Sequence, residues 1–197
     1  MTRKPLDEEA IAQLFLAART YNSWSDRSLD ESTIRRLYEL TAIGPTAANS
    51  NPARFLFITS AAGRERLRPH INVGNLEKTM AAPCCVIVAY DTLFYELMPQ
   101  LFPSRDLKSK FESQGALVED LVRRSATLQG AYLILAARAL GLDTGPMSGF
   151  DRETLERDFF PDGRWKANFL CNIGYGTDEG LYPRNPRLDF DQACRIL

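Results

Sequence analysis

The sequence is poor in histidine: its 197 residues contain one, His70. A zinc site built on two or three histidines is therefore excluded within one chain. The four cysteines, Cys84, Cys85, Cys171 and Cys194, show no CxxC spacing, so a cysteine-only metal site is not favoured either. No GxSxG turn is present, and a serine or cysteine nucleophile would have only His70 as its base. An excess of one charge is also missing. With 24 basic and 25 acidic side chains the net charge is −1, which gives no general attraction to nucleic acid or to an anionic membrane. No apolar run approaches the roughly 20 residues of a membrane span. The opening MTRKPLDEEAIAQ is basic and then acidic, without a secretory apolar stretch. If the chain is an enzyme, these absences move the chemistry from side chains to an organic cofactor.

What is present is ordinary globular composition, 45% hydrophobic and 25% charged. The length suits a single domain over residues 1–197, or one subunit of an intertwined oligomer. Adjacent Cys84 and Cys85 make a poor disulfide, so the cysteines read as reduced thiols of a cytoplasmic protein.

Hydrophobic spacing predicts a helix over 7–19, capped by Asp7, and a second over about 30–42, ended by Gly44-Pro45. Phe55–Thr59 reads as a strand, and Ser60 caps a short helix to about Leu67. CCVIVAY, apolar almost throughout, reads as a strand buried on both faces. Residues 92–113 show no clean period and read as a mobile excursion, a lid in form. A long helix follows at about 115–141, and its second half is apolar nearly all round, as in a large core or a subunit interface. GLDTGPMSGF reads as a glycine-rich loop, Asp151 as the cap of a short helix, and 168–174 as a strand. A polar, extended tail ends in a last helical turn. Unequal helices between the strands predict an α+β layer fold.

Four segments carry residues suited to one ligand. In Arg19-Thr20-Tyr21-Asn22-Ser23-Trp24, a forked cation suits phosphate and the neighbours add neutral hydrogen bonds; a surface arginine beside capping residues is the plainer alternative. In Pro45-Thr46-Ala47-Ala48-Asn49-Ser50-Asn51-Pro52, small residues let a flat ring approach the backbone and amides read its edge, although a turn wants the same residues. Asn75 and Lys78 share a helical face. Gly145-Pro146-Met147-Ser148-Gly149 offers backbone donors, but it follows a helix and is not a GxGxxG fingerprint, and a helix-ending connection is the plainer alternative. Cys84, Cys85 and Cys171 read as packed small hydrophobes, His70 as a surface or capping residue, and Trp24 and Trp165 as core or interface aromatics.

Taken in order, RTYN, PTAANSNPARF, NLEK before an AP-plus-strand, GLDTGPMSGF, NFLCNIGYG and an Arg-Pro tail resemble the flavin-dependent nitroreductase family over nearly the whole chain. Within it, GPTAANSNPARF, RERLRP with GNLEKT, AYLILAARALGLDTGPMSGFDR and NIGYG are most similar to the malonic semialdehyde reductases of uracil (pyrimidine) degradation. The resemblance implies a three-layer fold with a central mixed sheet, and an intertwined homodimer with FMN at the subunit interface. It implies that Arg19, Thr20 and Asn22 hold the phosphate and ribityl chain, with Arg184 and Arg187 adding phosphate contacts. Pro45, Thr46, Ala47 and Asn49 would line the ring, and Asn75 and Lys78 would meet its pyrimidine edge. Pro146, Met147, Ser148 and Gly149 would cover the other face.

No side chain is expected to act as catalytic acid or base, and no metal is expected. The implied reaction is FMN-mediated reduction of malonic semialdehyde to 3-hydroxypropanoate by NADPH or NADH. Arg54, Arg105 and Lys108 are candidates to hold the substrate carboxylate. The chain departs from the family pattern in having Ala18 before Arg19, Asn22 in place of a second basic residue, Asn51-Pro52-Ala53 in place of Gln-Pro-Trp, and Ser148 where some members carry Glu. A general nitro-, enone or quinone reductase, a non-catalytic flavin-binding protein and a pure interaction module are the alternative readings.

Overall fold

The computed structural model describes residues 4–115 and 117–197. The basic opening residues 1–3, and residue 116 within the stretch assigned to the long helix, lie outside the described residues. The chain begins with α1 (Glu8–Ile11), which runs into a π-helical turn, Ala12–Leu16. Next come α2 (Glu31–Thr41), β1 (Ala53–Ile58), α3 (Ala61–Leu67), α4 (Val73–Ala81) and β2 (Cys84–Asp91). The second half holds α5 (Met98–Leu101), α6 (Leu107–Glu112), α7 (Leu117–Ala139), β3 (Asp143–Met147), α8 (Arg152–Phe159), β4 (Trp165–Gly174) and α9 (Phe190–Ala193). The three predicted caps form: Asp7 accepts from the Ala10 N–H, Ser60 from Gly63 and Asp151 from Thr154.

The strands form one sheet in the order β1-β2-β4-β3. Every pairing between these strands is antiparallel, so the central sheet is not mixed as expected; the parallel component is a single bridge between Thr20 and Thr144. β2 shows why the sheet sits in a middle layer. All its residues are buried, and the side-chain period of two divides them between the faces. Cys85, Ile87 and Ala89 pack with Leu67, Ile71 and Leu155 from the α3, α4 and α8 side. Cys84, Val86 and Val88 pack with Leu37 of α2 and Leu133, Ala136 and Ala137 of α7. The two packed faces make the three-layer α+β arrangement. Gly130 lets α7 lie close to the sheet, because a Cβ there would stand 2.6 Å from the Phe169 ring.

Three expectations change. The segment 92–113 is not a loose excursion: Phe94, Met98 and Phe111 are buried against Tyr90, Val118, Val122 and Ala126 in a third apolar cluster. Its short helices defeat a search for one period. GLDTGPMSGF contains a strand, since Asp143–Met147 pairs with β4. Pro146 is tolerated because β3 is an edge strand. The first helix does not continue regularly to 19, because the wider π turn interrupts it. Among the described residues, no helix is long and apolar enough to cross a membrane.

Candidate functional site

One cleft gathers most of the basic residues singled out from the sequence. Arg19, Thr20, Asn22, Lys78, Arg184 and Arg187 line a cavity of about 590 Å³, together with Arg138 and Tyr182. The Arg19 segment is fixed from below by β3: Thr20 bridges Thr144, and the Tyr21 N–H donates to the Thr144 carbonyl at 3.1 Å. Lys78 sits in the last turn of α4, where its carbonyl accepts from Trp24 Nε1 at 3.0 Å and from Asn172 Nδ2 at 3.3 Å. Trp24 thus ties the first segment to the third. The tail crosses back over the opening of the chain. Arg184 donates to the carbonyls of Leu16 and Ala18 at 2.7 and 2.9 Å, and Arg19 donates to the Tyr182 carbonyl. Arg187 donates to the carbonyls of Asn185 and Pro186.

The electrostatics are one-sided. Among the described residues, five cations line the cavity and no carboxylate does. Among the described residues, none of the five has a carboxylate partner; the bonds of the four arginines run to backbone carbonyls. Burial lowers the Arg138 pKa from its usual value, and Arg184 nearby acts in the same direction. Burial also raises the Asp143 pKa, although its carboxylate accepts the Gly176 N–H at 2.9 Å. Arg138 Nε is buried and has no hydrogen-bond partner. A lining of cations without carboxylate partners suits a polyanionic ligand such as a phosphate monoester, because such a group brings about −1.5 to −2 charge and three acceptor oxygens. Among the described residues, no group of three potential metal-ligating side chains occurs.

The second and fourth segments lie elsewhere on the same chain. Asn75 donates through Nδ2 to the Gly149 carbonyl at 3.0 Å, and the Asn72 N–H reaches the same oxygen at 3.1 Å. Gly149 is a close-approach position, since a Cβ would fall 2.3 Å from Asn75 Nδ2. Pro146, Met147 and Ser148 line a separate recess with Thr127, Ala131 and Ile134 of α7. Pro45, Thr46, Ala47 and Asn49 reach neither the recess nor the basic cavity. The Ala47 N–H is 3.3 Å from Ser125 Oγ on α7, and Asn49 donates to the Leu101 carbonyl at 2.9 Å. Thr46 Oγ1 accepts the Asn51 N–H at 3.2 Å. Ala48, Asn49 and Asn51 have φ of 52°, 54° and 41°, the left-handed region that ordinary residues avoid. Three such residues in one turn mark a held, strained loop.

α7 therefore carries three places in a row: Ser125 beneath the small-residue loop, Thr127 to Ile134 beside 146–148, and Arg138 in the basic cavity. From Ser125 to Arg138 the helix rises by about 20 Å. Its outward face between them is apolar, with Leu128 49% and Tyr132 37% exposed.

The substrate candidates fare differently. Arg54 is engaged, donating to Asp91 at 2.7 Å, with Asp91 buried and also paired to Arg164 at 2.9 Å. Its guanidinium belongs to a structural ion network and does not line the basic cavity. Exposed Arg105 and half-buried Lys108 do not line that cavity either. His70 corrects another expectation. It is 8% exposed, with Nδ1 3.0 Å from Thr154 Oγ1 and Nε2 3.0 Å from Asp158 Oδ2. Packing of α8 over the turn that holds it accounts for this, and a local pattern does not show that packing. Arg138 was missed, although it is the one charge in the apolar run AYLILAARAL. A lone cation there was the available signal.

Comparison with known proteins identifies the family and the fold. The Nitroreductase family model matches residues 2–175. A relative from Rhodopseudomonas palustris with the provisional name NADH dehydrogenase/NAD(P)H nitroreductase is 58% identical over 192 residues, covering 98% of each chain. A protein of the same provisional name from Ralstonia nicotianae is 51% identical over 192 residues, again 98% of each. The fold is similar to a crystal structure from Exiguobacterium sibiricum, a provisionally named nitroreductase in complex with FMN. There the TM-score is 0.83 and the identity 19%, over all of both chains. With the family match spanning most of its length and such relatives sharing over half their residues, this chain belongs to the nitroreductase family.

Proposed function

We propose that the chain is an FMN-dependent NAD(P)H oxidoreductase that works as a homodimer, with residues 1–197 forming one FMN-binding domain. The observation that carries this reading is the carboxylate-free cavity of Arg19, Lys78, Arg138, Arg184 and Arg187. Bound FMN supplies the two-electron chemistry between a nicotinamide and an acceptor. Arg19, Arg184 and Arg187 neutralise its phosphate, Thr20 and Asn22 serve the ribityl chain, and Asn75 and Lys78 read the pyrimidine edge. Pro146, Met147, Ser148 and Gly149 shape one side of the ring site. Pro45, Thr46, Ala47 and Asn49 stand apart from the basic cavity within one chain, which supports their serving the site of a second copy across the apolar face of α7. The role left to the protein is to position two ligands in turn and exclude water. Buried free Cys84, Cys85 and Cys171 support a reducing, cytoplasmic setting.

The finer reading is reduction of malonic semialdehyde to 3-hydroxypropanoate, the aldehyde gaining two electrons and two protons. Its support is the sequence likeness to that subgroup. Its carboxylate needs a cation, and with Arg54 committed to Asp91 the remaining candidates are Arg105 and Lys108. A nitroaromatic acceptor is the second reading, supported by the names that the relatives carry. The test is anaerobic stopped flow on the purified protein. The protein should be yellow, release FMN on denaturation, be bleached by NADPH or NADH, and regain its colour with malonic semialdehyde. Colourless protein without FMN would refute the cofactor assignment. Recovery with a nitroaromatic alone would refute the aldehyde.

A further inference from the structure

We propose that Arg138 is a direct anion ligand at the phosphate end of the cavity, and that it sets the preference of the site for a phosphorylated flavin over the unphosphorylated one. The inference rests on the FMN reading above and adds a residue from outside the recognisable segments.

Arg138 lies in the last turn of α7, the only basic residue there. Part of its role is structural. NH1 donates to the Leu14 carbonyl at 2.9 Å, and its own carbonyl accepts from Gln13 at 2.6 Å, so it helps to hold the π turn beneath Arg19. A cation at a helix C-terminus is also favourable in its own right. Neither role uses Nε, which is buried and unpartnered. Neither explains why a guanidinium stands close enough to Arg184 for their repulsion to be felt while no carboxylate pairs with it. Asp143 acts on Arg138 in the opposite sense to Arg184 but forms no ion pair with it, and its carboxylate accepts the Gly176 N–H. Arg138 and Arg184 line one cavity with Arg19, Lys78 and Arg187 and, among the described residues, with no carboxylate, and this calls for an acceptor-rich anion between them. A flavin without a phosphate offers none.

The test compares FMN with riboflavin. Full-length protein is freed of flavin by dialysis against potassium bromide, and binding is followed by quenching of flavin fluorescence. Arg138→Gln should weaken FMN at least tenfold and leave riboflavin within twofold. Arg138→Lys, which keeps the charge and loses the fork, should fall between wild type and Arg138→Gln. The FMN affinity of the wild type should drop more steeply with added salt than that of Arg138→Gln. Equal weakening for both flavins would show a structural role only and overturn the proposal, as would unchanged FMN affinity. A second probe separates this proposal from the cofactor assignment. Inorganic phosphate should raise the melting temperature of the flavin-free wild type and not of Arg138→Gln. A wild type stabilised by phosphate through Arg138 but binding no flavin would refute FMN and keep the anion ligand. No stabilisation by phosphate and no flavin binding at all would refute both.

Discussion

Replacing Arg54 with Met should weaken the fold and leave acceptor affinity unchanged, because its charge is already used. Asp91 is the hub. Its side chain is 2% exposed and accepts from Arg54 at 2.7 Å, from Arg164 at 2.9 and 3.0 Å, and from the Leu93 N–H at 2.9 Å. Arg54 also donates to the carbonyls of Asn51 and Ala53, so it braces the left-handed turn. Removing it takes one charge-assisted bond from a buried carboxylate, a loss of about 1.5–3 kcal/mol. Arg164 remains as a partner, so about 2 kcal/mol is expected. Asp91→Asn leaves two guanidiniums facing a neutral amide. Breaking a buried pair costs about 3–5 kcal/mol, and the 34% exposure of Arg164 places this case at the lower end. The double variant should cost less than the two single losses together, by about 1–2 kcal/mol. Urea unfolding with an unchanged m-value reads each difference directly. A loss below about 0.5 kcal/mol for Arg54→Met, joined to a tenfold rise in KM for the aldehyde, would refute the structural assignment and restore Arg54 as a substrate cation.

Thiol titration should distinguish Cys194, which is exposed, from the other three. Burial pushes Cys84 and Cys171 up to about 12 and Cys85 well above its ordinary value. One thiol should therefore react quickly with a disulfide reagent at pH 8, and four after denaturation. The linkage sign follows from the same shifts. Above about pH 9 the unfolded thiols ionise while the folded ones keep their protons, so stability should fall steadily from pH 9 towards 12. A flat stability profile across that window would contradict the burial. Gly149→Ala should displace the Asn75 amide from the Gly149 carbonyl; FMN binding should weaken while stability changes by only about 1 kcal/mol. Leu128→Arg, on the apolar face of α7, should yield monomers in light scattering and reduce flavin content. A dimer that keeps its flavin would place the interface elsewhere.

The layers were legible where local pattern and tertiary role agree. CCVIVAY had to be a strand buried on both faces, and Asp7, Ser60 and Asp151 announced their caps. The basic end of the site was also legible, because Arg19, Lys78, Arg184 and Arg187 sit in recognisable segments. What escaped depends on distant partners. Asp143–Met147 looks like a glycine-rich loop until β4 pairs with it. The helices of 92–113 are too short to show a period, and only the buried Phe94 and Phe111 reveal their packing. Arg138 was hidden because an arginine inside an apolar helix carries no motif, and its place in the cavity depends on the distant segments that line the cavity with it.

The bridge between Thr20 and Thr144 has a consequence for colloidal behaviour. β3 is a rim of the sheet, and rims with open N–H and C=O groups recruit other chains. Here the rim is partly shielded by the strand-like start of the ligand segment, through Thr20 and the Tyr21 N–H. On the proposed function, anion occupancy and shielding of the rim would be coupled: a phosphate held by Arg19 would also steady the shield, and protein stripped of its ligand should aggregate along this rim before it unfolds.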